Sequence, residues 1–223
     1  MIEADLPAVL ALDQRCLGGL WTRSGYQREL DSDCSDLLVL VSAPTAEGLR
    51  QRRNAFNSAL PPASLAARFA ASLVADFNAD LAASDPTAST PASAIALLGT
   101  GCLWAILEEA HITTLAIEPA YQGQKLGQVL LSELLLCAYR RGLTRATLEV
   151  RAANEPALKL YQKFDFKEAG IRKRYYSDGE NARILWRSGL QTEQAVDQIK
   201  QHQQAAFTAL SDRYQPDFSQ SSK

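Results

Sequence analysis

One segment, residues 113–131, limits the folds open to this chain more than any other. It opens on β-branched and apolar residues, which predict a strand over 111–117, and Pro119 ends that strand because proline has no N–H to donate to a sheet ladder. A loop containing Gly123 leads directly into an apolar stretch with helical periodicity over 126–141. A strand, a glycine-containing loop and a helix in direct succession predict a helix packed on a sheet.

The apolar periodicity elsewhere extends this layer on both sides. In chain order it predicts helices over 5–15 and 21–30, strands over 37–41 and 95–107, and then, after the segment above, a strand over 146–151, a helix over 155–164 and strands over 166–171 and 182–186. Thr22 and Asn154 are expected N-caps, and Gly142 is expected just after the helix over 126–141. The predicted fold class is a mixed α/β sheet, α+β-like in its hairpins, of about six or seven strands with helices on both faces.

Residues 42–93 differ in composition from the rest, because alanine, serine and proline dominate them. Apolar residues recur there every four positions, which predicts a helix beginning near residues 61–62 and marked by Leu65, Phe69, Leu73, Phe77 and Leu81. We interpret 42–93 as a helical insertion in a domain spanning 1–188, followed by a polar, glutamine-rich tail over 189–223 that holds a weakly amphipathic helix. Two roles for the insertion stay open: a spacer without chemistry, and a cover for a partner-binding surface.

Charge, cysteine and histidine content exclude several classes of function. The 23 basic and 25 acidic residues leave a net charge of −2, so no positive field is available to attract nucleic acid and no direct nucleic-acid partner is expected. There is neither a signal-like leader nor an apolar run long enough to span a bilayer, so we expect a cytoplasmic protein without a membrane partner. The four cysteines form no C-x-x-C pair and the two histidines no H-E-x-x-H motif, so reduced thiols and no metal are expected.

Three features carry potential chemistry. The loop over 122–127 opens a helix, whose free N–H groups and dipole can hold a pyrophosphate, although a strand-to-helix turn without a ligand explains the same pattern. In the strand over 146–151, Leu148 and Val150 face one way and Glu149 faces the other, where it is either functional or a solvated carboxylate. Tyr161 lies in the next helix and is either functional or a core tyrosine.

These stretches together resemble the GNAT acetyltransferase family. Gln122-Gly123-Gln124-Lys125-Leu126-Gly127 is similar to its acetyl-CoA signature, Q/R-x-x-G-x-G/A, and residues 148–166 are similar to the RimI-type branch, which acetylates the N-terminal alanine of a small-subunit ribosomal protein. The resemblance covers the chain to about residue 43 and again from about 94 to 188, so the insertion and the tail lie outside it. Two departures stand out: Lys125 replaces the first signature glycine, and Asn181 stands where the branch usually has aspartate.

The resemblance implies a splayed mixed sheet, acetyl-CoA as cosubstrate, a protein N-terminus as acceptor, and direct transfer without a covalent enzyme intermediate. It implies that Glu149 is the general base and Tyr161 the general acid. The implied cofactor-binding residues are Leu115, Ala116, Ile117, Gly123, Gln124, Lys125, Leu126, Gly127, Gln128 and Asn154. Two alternatives stay open: an acetyltransferase for a small amine or another protein, and a non-catalytic module that binds acyl-CoA.

Overall fold

The computed structural model describes residues 1–42, 50 and 96–214. The helices are α1 (Leu6–Leu17), α2 (Arg23–Leu30), α3 (Leu126–Arg140), α4 (Glu155–Lys163) and α5 (Glu193–Tyr214), and the strands are β1 (Ser35–Ser42), β2 (Ala96–Ile106), β3 (Glu109–Ile117), β4 (Arg145–Arg151), β5 (Lys167–Arg172) and β6 (Ala182–Ser188). These bounds agree with the elements expected from the sequence to within a few residues. The predicted helix in the insertion lies outside the described residues.

The six strands form one mixed sheet in the order β1-β2-β3-β4-β6-β5, in agreement with the predicted fold class. Every neighbouring pair is antiparallel except β3 and β4, which are parallel. Their shared ladder ends at Ile112 and Leu148, although β3 continues to Ile117 and β4 to Arg151. Beyond that point the two strands part, which leaves a gap inside the sheet with main-chain groups along both of its edges.

Helices cover the two faces unequally. The main core lies on the face of α3, which is buried along nearly its whole length and packs against β2 and β3. On the opposite face, α1 and α2 cover a smaller core that includes Leu6, Val9 and Tyr26. Alternation along β4 therefore places Leu148 and Val150 in the main core and turns Glu149 toward the other face.

The glutamine-rich tail contributes to the main core. Helix α5 packs against α3, and its apolar stripe buries Val196, Ile199 and Leu210. The Gln128 amide of α3 donates to the main-chain carbonyl of His202, 2.7 Å away, which ties the start of α3 to α5. The weakly amphipathic helix predicted for the tail is confirmed, and it supports the helix that opens at the signature loop.

Local capping agrees with the sequence. The Thr22 hydroxyl accepts a hydrogen bond from the Gly25 N–H, and the Asn154 side chain accepts one from the Ala157 N–H. Gly142 adopts a φ of 76° just after α3, where a left-handed residue ends a helix. No helix within the described residues has the length and apolarity needed to cross a membrane.

Candidate active site

A cleft of about 320 Å³ lies where β3 and β4 part, between the start of α3 and one face of α4. Eight of the ten predicted cofactor-binding residues line it: Leu115, Ile117, Gly123, Lys125, Leu126, Gly127, Gln128 and Asn154. The other two, Ala116 and Gln124, are not among the lining residues; Ala116 is buried, and the Gln124 amide donates to the Ala120 carbonyl at 3.4 Å. The structure therefore gathers most of the predicted set around one cavity.

The loop before α3 has a backbone suited to an anion. Gly123 and Lys125 both have left-handed backbones, with φ of 74° and 70°, and Lys125 is the N-cap residue of α3. The first N–H groups of a helix have no acceptor within it, and here they open onto the cleft wall formed by Leu126 and Gly127. A Cβ at Gly127 would lie 3.3 Å from the Leu160 side chain, so glycine keeps α3 and α4 close together beside the cleft.

Helix α4 supplies a wall that the sequence reasoning did not assign. Pro156, Lys159, Leu160 and Lys163 line the cleft at helical spacing, so a single face of α4 meets it. That spacing was visible in the sequence, but the direction of the face was not. With Lys125, three lysines line the cleft, and no acidic side chain is found among its described lining residues. The cavity therefore favours an anionic ligand.

Glu149 is the first residue of β4 beyond its last pairing with β3. Its carboxylate therefore lies at the fork, the point after Ile112 and Leu148 where the two strands separate. The side chain is only 9% exposed, and both of its oxygens have partners. His111 Nε2 lies 3.0 Å from Oε2, and Arg172 Nη2 lies 3.1 Å from Oε1. A buried carboxylate held by a histidine and an arginine at the point where two strands separate is suited to binding or removing a proton. His111 has no role predicted from the sequence, because the pairing of β3 with β4 depends on contacts between distant parts of the chain.

Tyr161 lies in α4 behind the cleft. Its ring packs edge-on against Phe166 with the ring centroids 5.7 Å apart, and its side chain is buried. Burial raises the pKa of the Tyr161 hydroxyl, with a smaller contribution from Tyr176, so the phenol stays protonated at neutral pH. Its side chain is not among the residues that line the cleft, and no group in the described part of the chain hydrogen-bonds to its hydroxyl.

The turn between β5 and β6 is anchored beside Glu149. Arg151 forms ion pairs of 2.7 Å with both Asp178 and Glu180, and its guanidinium lies 4.0 Å from the ring centroid of Tyr176. Main-chain N–H groups and the Arg151 guanidinium lower the pKa of both of these carboxyl groups. Burial raises the pKa of Tyr176, and the Glu149 charge is among the smaller causes, so this phenol also lies close to the fork.

Asn181, the second departure from the family pattern, has a structural contact in the same turn. Its side-chain oxygen accepts a hydrogen bond from the Arg174 N–H at 2.9 Å. An aspartate oxygen could accept this bond equally well, so the substitution keeps the turn.

Part of the chain is similar to known acetyltransferases. Residues 66–166 match the model of the acetyltransferase (GNAT) family. A relative from Bacillus subtilis (strain 168) is 43% identical over 91 residues, which cover 40% of this chain and 60% of that protein. The ribosomal protein bS18-alanine N-acetyltransferase of Escherichia coli (strain K12) is 42% identical over 82 residues, which cover 36% of this chain and 55% of the length of that enzyme. The match thus spans little more than half of the length of these curated relatives.

Solved structures agree on the fold. The ribosomal-protein-S18-alanine N-acetyltransferase of Escherichia coli superposes with a TM-score of 0.54 at 22% identity, covering 84% of this chain and 90% of that one. A spermidine N-acetyltransferase chimera from Vibrio cholerae gives 0.55 at 13% identity, covering 88% and 96%. Identities this low carry the fold alone. Together with the match of residues 66–166 to the family model, they show that the described part of the chain has the fold of these N-acetyltransferases.

Proposed function

We propose that this chain transfers the acetyl group of acetyl-CoA to the N-terminal α-amino group of a protein, specifically to the N-terminal alanine of a small-subunit ribosomal protein. One observation carries the proposal: the largely buried Glu149 carboxylate lies at the fork of β3 and β4, and the same length of β3 past the fork lines a cationic cleft that also includes the first turn of α3; Glu149 itself is not among the residues that line this cleft. The similarity to an enzyme named for bS18-alanine acetylation supports the choice of acceptor.

The cleft fits acetyl-CoA, which supplies an acetyl group activated as a thioester. Main-chain N–H groups from Gly123 to Gly127 are suited to its diphosphate, whereas the Gln128 N–H already donates to the Lys125 carbonyl at 2.9 Å. The ammonium groups of the three lining lysines would add attraction for phosphate. The edge of β3 at Leu115, Ala116 and Ile117 extends past the last β4 pair, so its main chain would pair with the amides of the pantetheine arm as a strand pairs with a peptide. Asn154 lines the same cleft and would contact the cofactor there.

Glu149 would act as the general base. An α-amino group has a pKa near 8, so about one in ten is already neutral at pH 7, against fewer than one in a thousand lysine side chains. A carboxylate is therefore better matched to an N-terminal amine than to lysine. Because Arg172 holds Oε1 at 3.1 Å, an incoming ammonium group would compete with this arginine for the carboxylate.

Tyr161 would act as the general acid. Transfer forms a C–N bond and breaks the C–S bond, the acceptor nitrogen loses a proton to Glu149, and the departing thiolate gains one from the Tyr161 hydroxyl. The raised pKa of this phenol keeps its proton available at neutral pH. Leu160 lines the cleft and the adjacent Tyr161 does not, so α4 would have to move to bring the hydroxyl to the sulfur.

The test compares Glu149→Gln and Tyr161→Phe with the wild-type protein on a peptide that begins with alanine. Each substitution should lower kcat by about a hundredfold, because a single acid or base contributes roughly 10²–10⁴ in rate. Acetyl-CoA affinity, measured by titration calorimetry, should change by less than about threefold, since neither side chain holds the diphosphate. Tyr139→Phe, a half-exposed tyrosine of α3, and Glu109→Gln are the matched controls.

Three outcomes would contradict the proposal. Unchanged rates in both variants would remove the assignment of base and acid. Efficient acetylation of a polyamine with a poor rate on the alanine peptide would favour a small-amine acetyltransferase. Tight acetyl-CoA binding with no turnover over a panel of acceptors would favour a non-catalytic acyl-CoA-binding module.

A further inference from the structure

We infer that His111 is a positioning residue for Glu149 and the route by which the proton removed by Glu149 reaches water. This inference rests on the proposed function, because it concerns the fate of a proton taken from the acceptor nitrogen. It assigns a role to a histidine that lies outside both the signature loop and the 148–166 stretch.

The geometry places His111 between the carboxylate and solvent. Its Nε2 lies 3.0 Å from Glu149 Oε2, the distance of a direct hydrogen bond. The Glu149 side chain is 9% exposed and the His111 side chain 25% exposed, so the imidazole is the more accessible partner. Arg172 occupies Oε1 and, having no acceptor atoms, cannot take a proton from Glu149. Of the two partners that the described residues supply to the carboxylate, only His111 can relay a proton.

The sheet register holds the imidazole in this place. His111 pairs with Trp104 of β2 on one side and with Thr147 of β4 on the other, so its side chain reaches diagonally to Glu149 two residues further along. The Trp104 ring lies 6.2 Å from the imidazole centroid, and its indole N–H donates to Glu29 Oε2 at 2.7 Å. The tryptophan is therefore itself held in place and limits the movement of the histidine.

The relay balances without a further reactant. In the resting protein the Nε2–H tautomer donates to the ionised carboxylate, and exchange with water converts it to the Nδ1–H tautomer, which frees Nε2. The acceptor nitrogen then gives its proton to Glu149, Glu149 passes it to Nε2, and Nδ1 releases a proton to water, which restores the resting Nε2–H tautomer. Charged or titratable groups face the pair from other elements: Arg172 on β5, Tyr176 in the β5–β6 turn, and Glu29 on α2 through Trp104.

The experiment separates positioning from proton transfer. His111→Gln keeps an N–H donor for Glu149 but cannot relay a proton, whereas His111→Ala removes both functions. We expect His111→Gln to lower kcat at least tenfold, to leave both KM values within about twofold, and to move the acidic limb of the pH–kcat profile. His111→Ala should in addition raise the KM for the acceptor peptide.

Glu109→Gln is the matched control. Glu109 is also a β3 residue, and its carboxylate forms an ion pair with Arg145 of β4 at 3.2 Å. It lies two residues further from the fork than His111 does. It should keep the wild-type pH profile. A His111→Gln enzyme with wild-type kcat and profile would overturn the relay.

A spectroscopic readout keeps the inference testable if no acceptor is turned over. The chain has two histidines, so their ring N–H protons are separable by NMR. Protection of one ring N–H from exchange in the wild-type protein, lost in Glu149→Leu, which has no acceptor atom, supports the pairing. Its persistence in that variant overturns the inference. Absence of turnover in the wild-type protein, by contrast, overturns the proposed function while the NMR result still decides on the pair.

Discussion

Replacing Lys125 separates the backbone demand of the signature loop from its charge. Lys125 has φ of 70° and ψ of −2° at the N-cap of α3, and its side chain makes no capping hydrogen bond. The family signature that this loop resembles has glycine at this position, and glycine adopts this conformation without a Cβ penalty. Lys125→Gly and Lys125→Ala both remove the ammonium group, but only glycine also removes the strain.

The magnitudes follow from the backbone angles and the exposure. A left-handed conformation costs a residue with a Cβ about 1–2 kcal/mol. The extra freedom of glycine in the unfolded chain offsets about 0.4–1 kcal/mol of this gain. Lys125→Gly should therefore be more stable than Lys125→Ala by about 1 kcal/mol, or about 2–4 °C in Tm for a chain of this size. Loss of an exposed ammonium near phosphate should weaken acetyl-CoA binding by about two- to fivefold in both variants.

Two assays check this prediction. Urea unfolding of the two variants gives the difference in the free energy of unfolding, and calorimetric titration with acetyl-CoA gives the change in Kd. Equal stability of the glycine and alanine variants would refute a left-handed backbone at residue 125. An unchanged Kd in both variants would refute a role for this ammonium group in the cleft.

Two further predictions concern the sheet and its buried thiols. A Cβ on Gly99 would lie 2.9 Å from the Ala116 carbonyl oxygen, so Gly99→Ala should lose about 1–3 kcal/mol in urea unfolding, whereas Gly170→Ala, with its nearest contact at 3.8 Å, should change by less than about 0.5 kcal/mol; equal losses would contradict the close approach. Burial raises the pKa of Cys102 and of Cys137 to about 12, so the folded state holds both protons more tightly than the unfolded chain, where a thiol titrates near 8.5. Their contribution to stability is complete below about pH 8.5 and is lost as the pH rises toward 12, by up to about 1.4 kcal/mol per pH unit for each thiol. Unfolding measured from pH 8 to 10 should show this fall, and an unchanged slope in Cys102→Ala would speak against it.

Local signals in the chain were sufficient to predict the elements and the loop that opens α3. Helical and strand periodicity placed the secondary structure, and the caps at Thr22 and Asn154 and the turn at Gly142 depend only on neighbouring residues. The loop over 122–127 was readable as a site for phosphate because a helix N-terminus has free N–H groups wherever it occurs. The choice between functional and structural roles for Glu149 was not readable.

Tertiary structure alone decided where the chemistry is placed. The parting of β3 and β4 after Ile112 and Leu148 depends on pairing between strands far apart in the chain, as does the contact of His111 with Glu149. The tail joined the core as α5 because an amphipathic helix takes its place from the surface that accepts its apolar face, here on α3. Sequence determined the elements and the loop at the start of α3 because those rest on local hydrogen bonds and periodicity. Register and docking, which are non-local, determined that a carboxylate, an imidazole and a guanidinium meet at the fork.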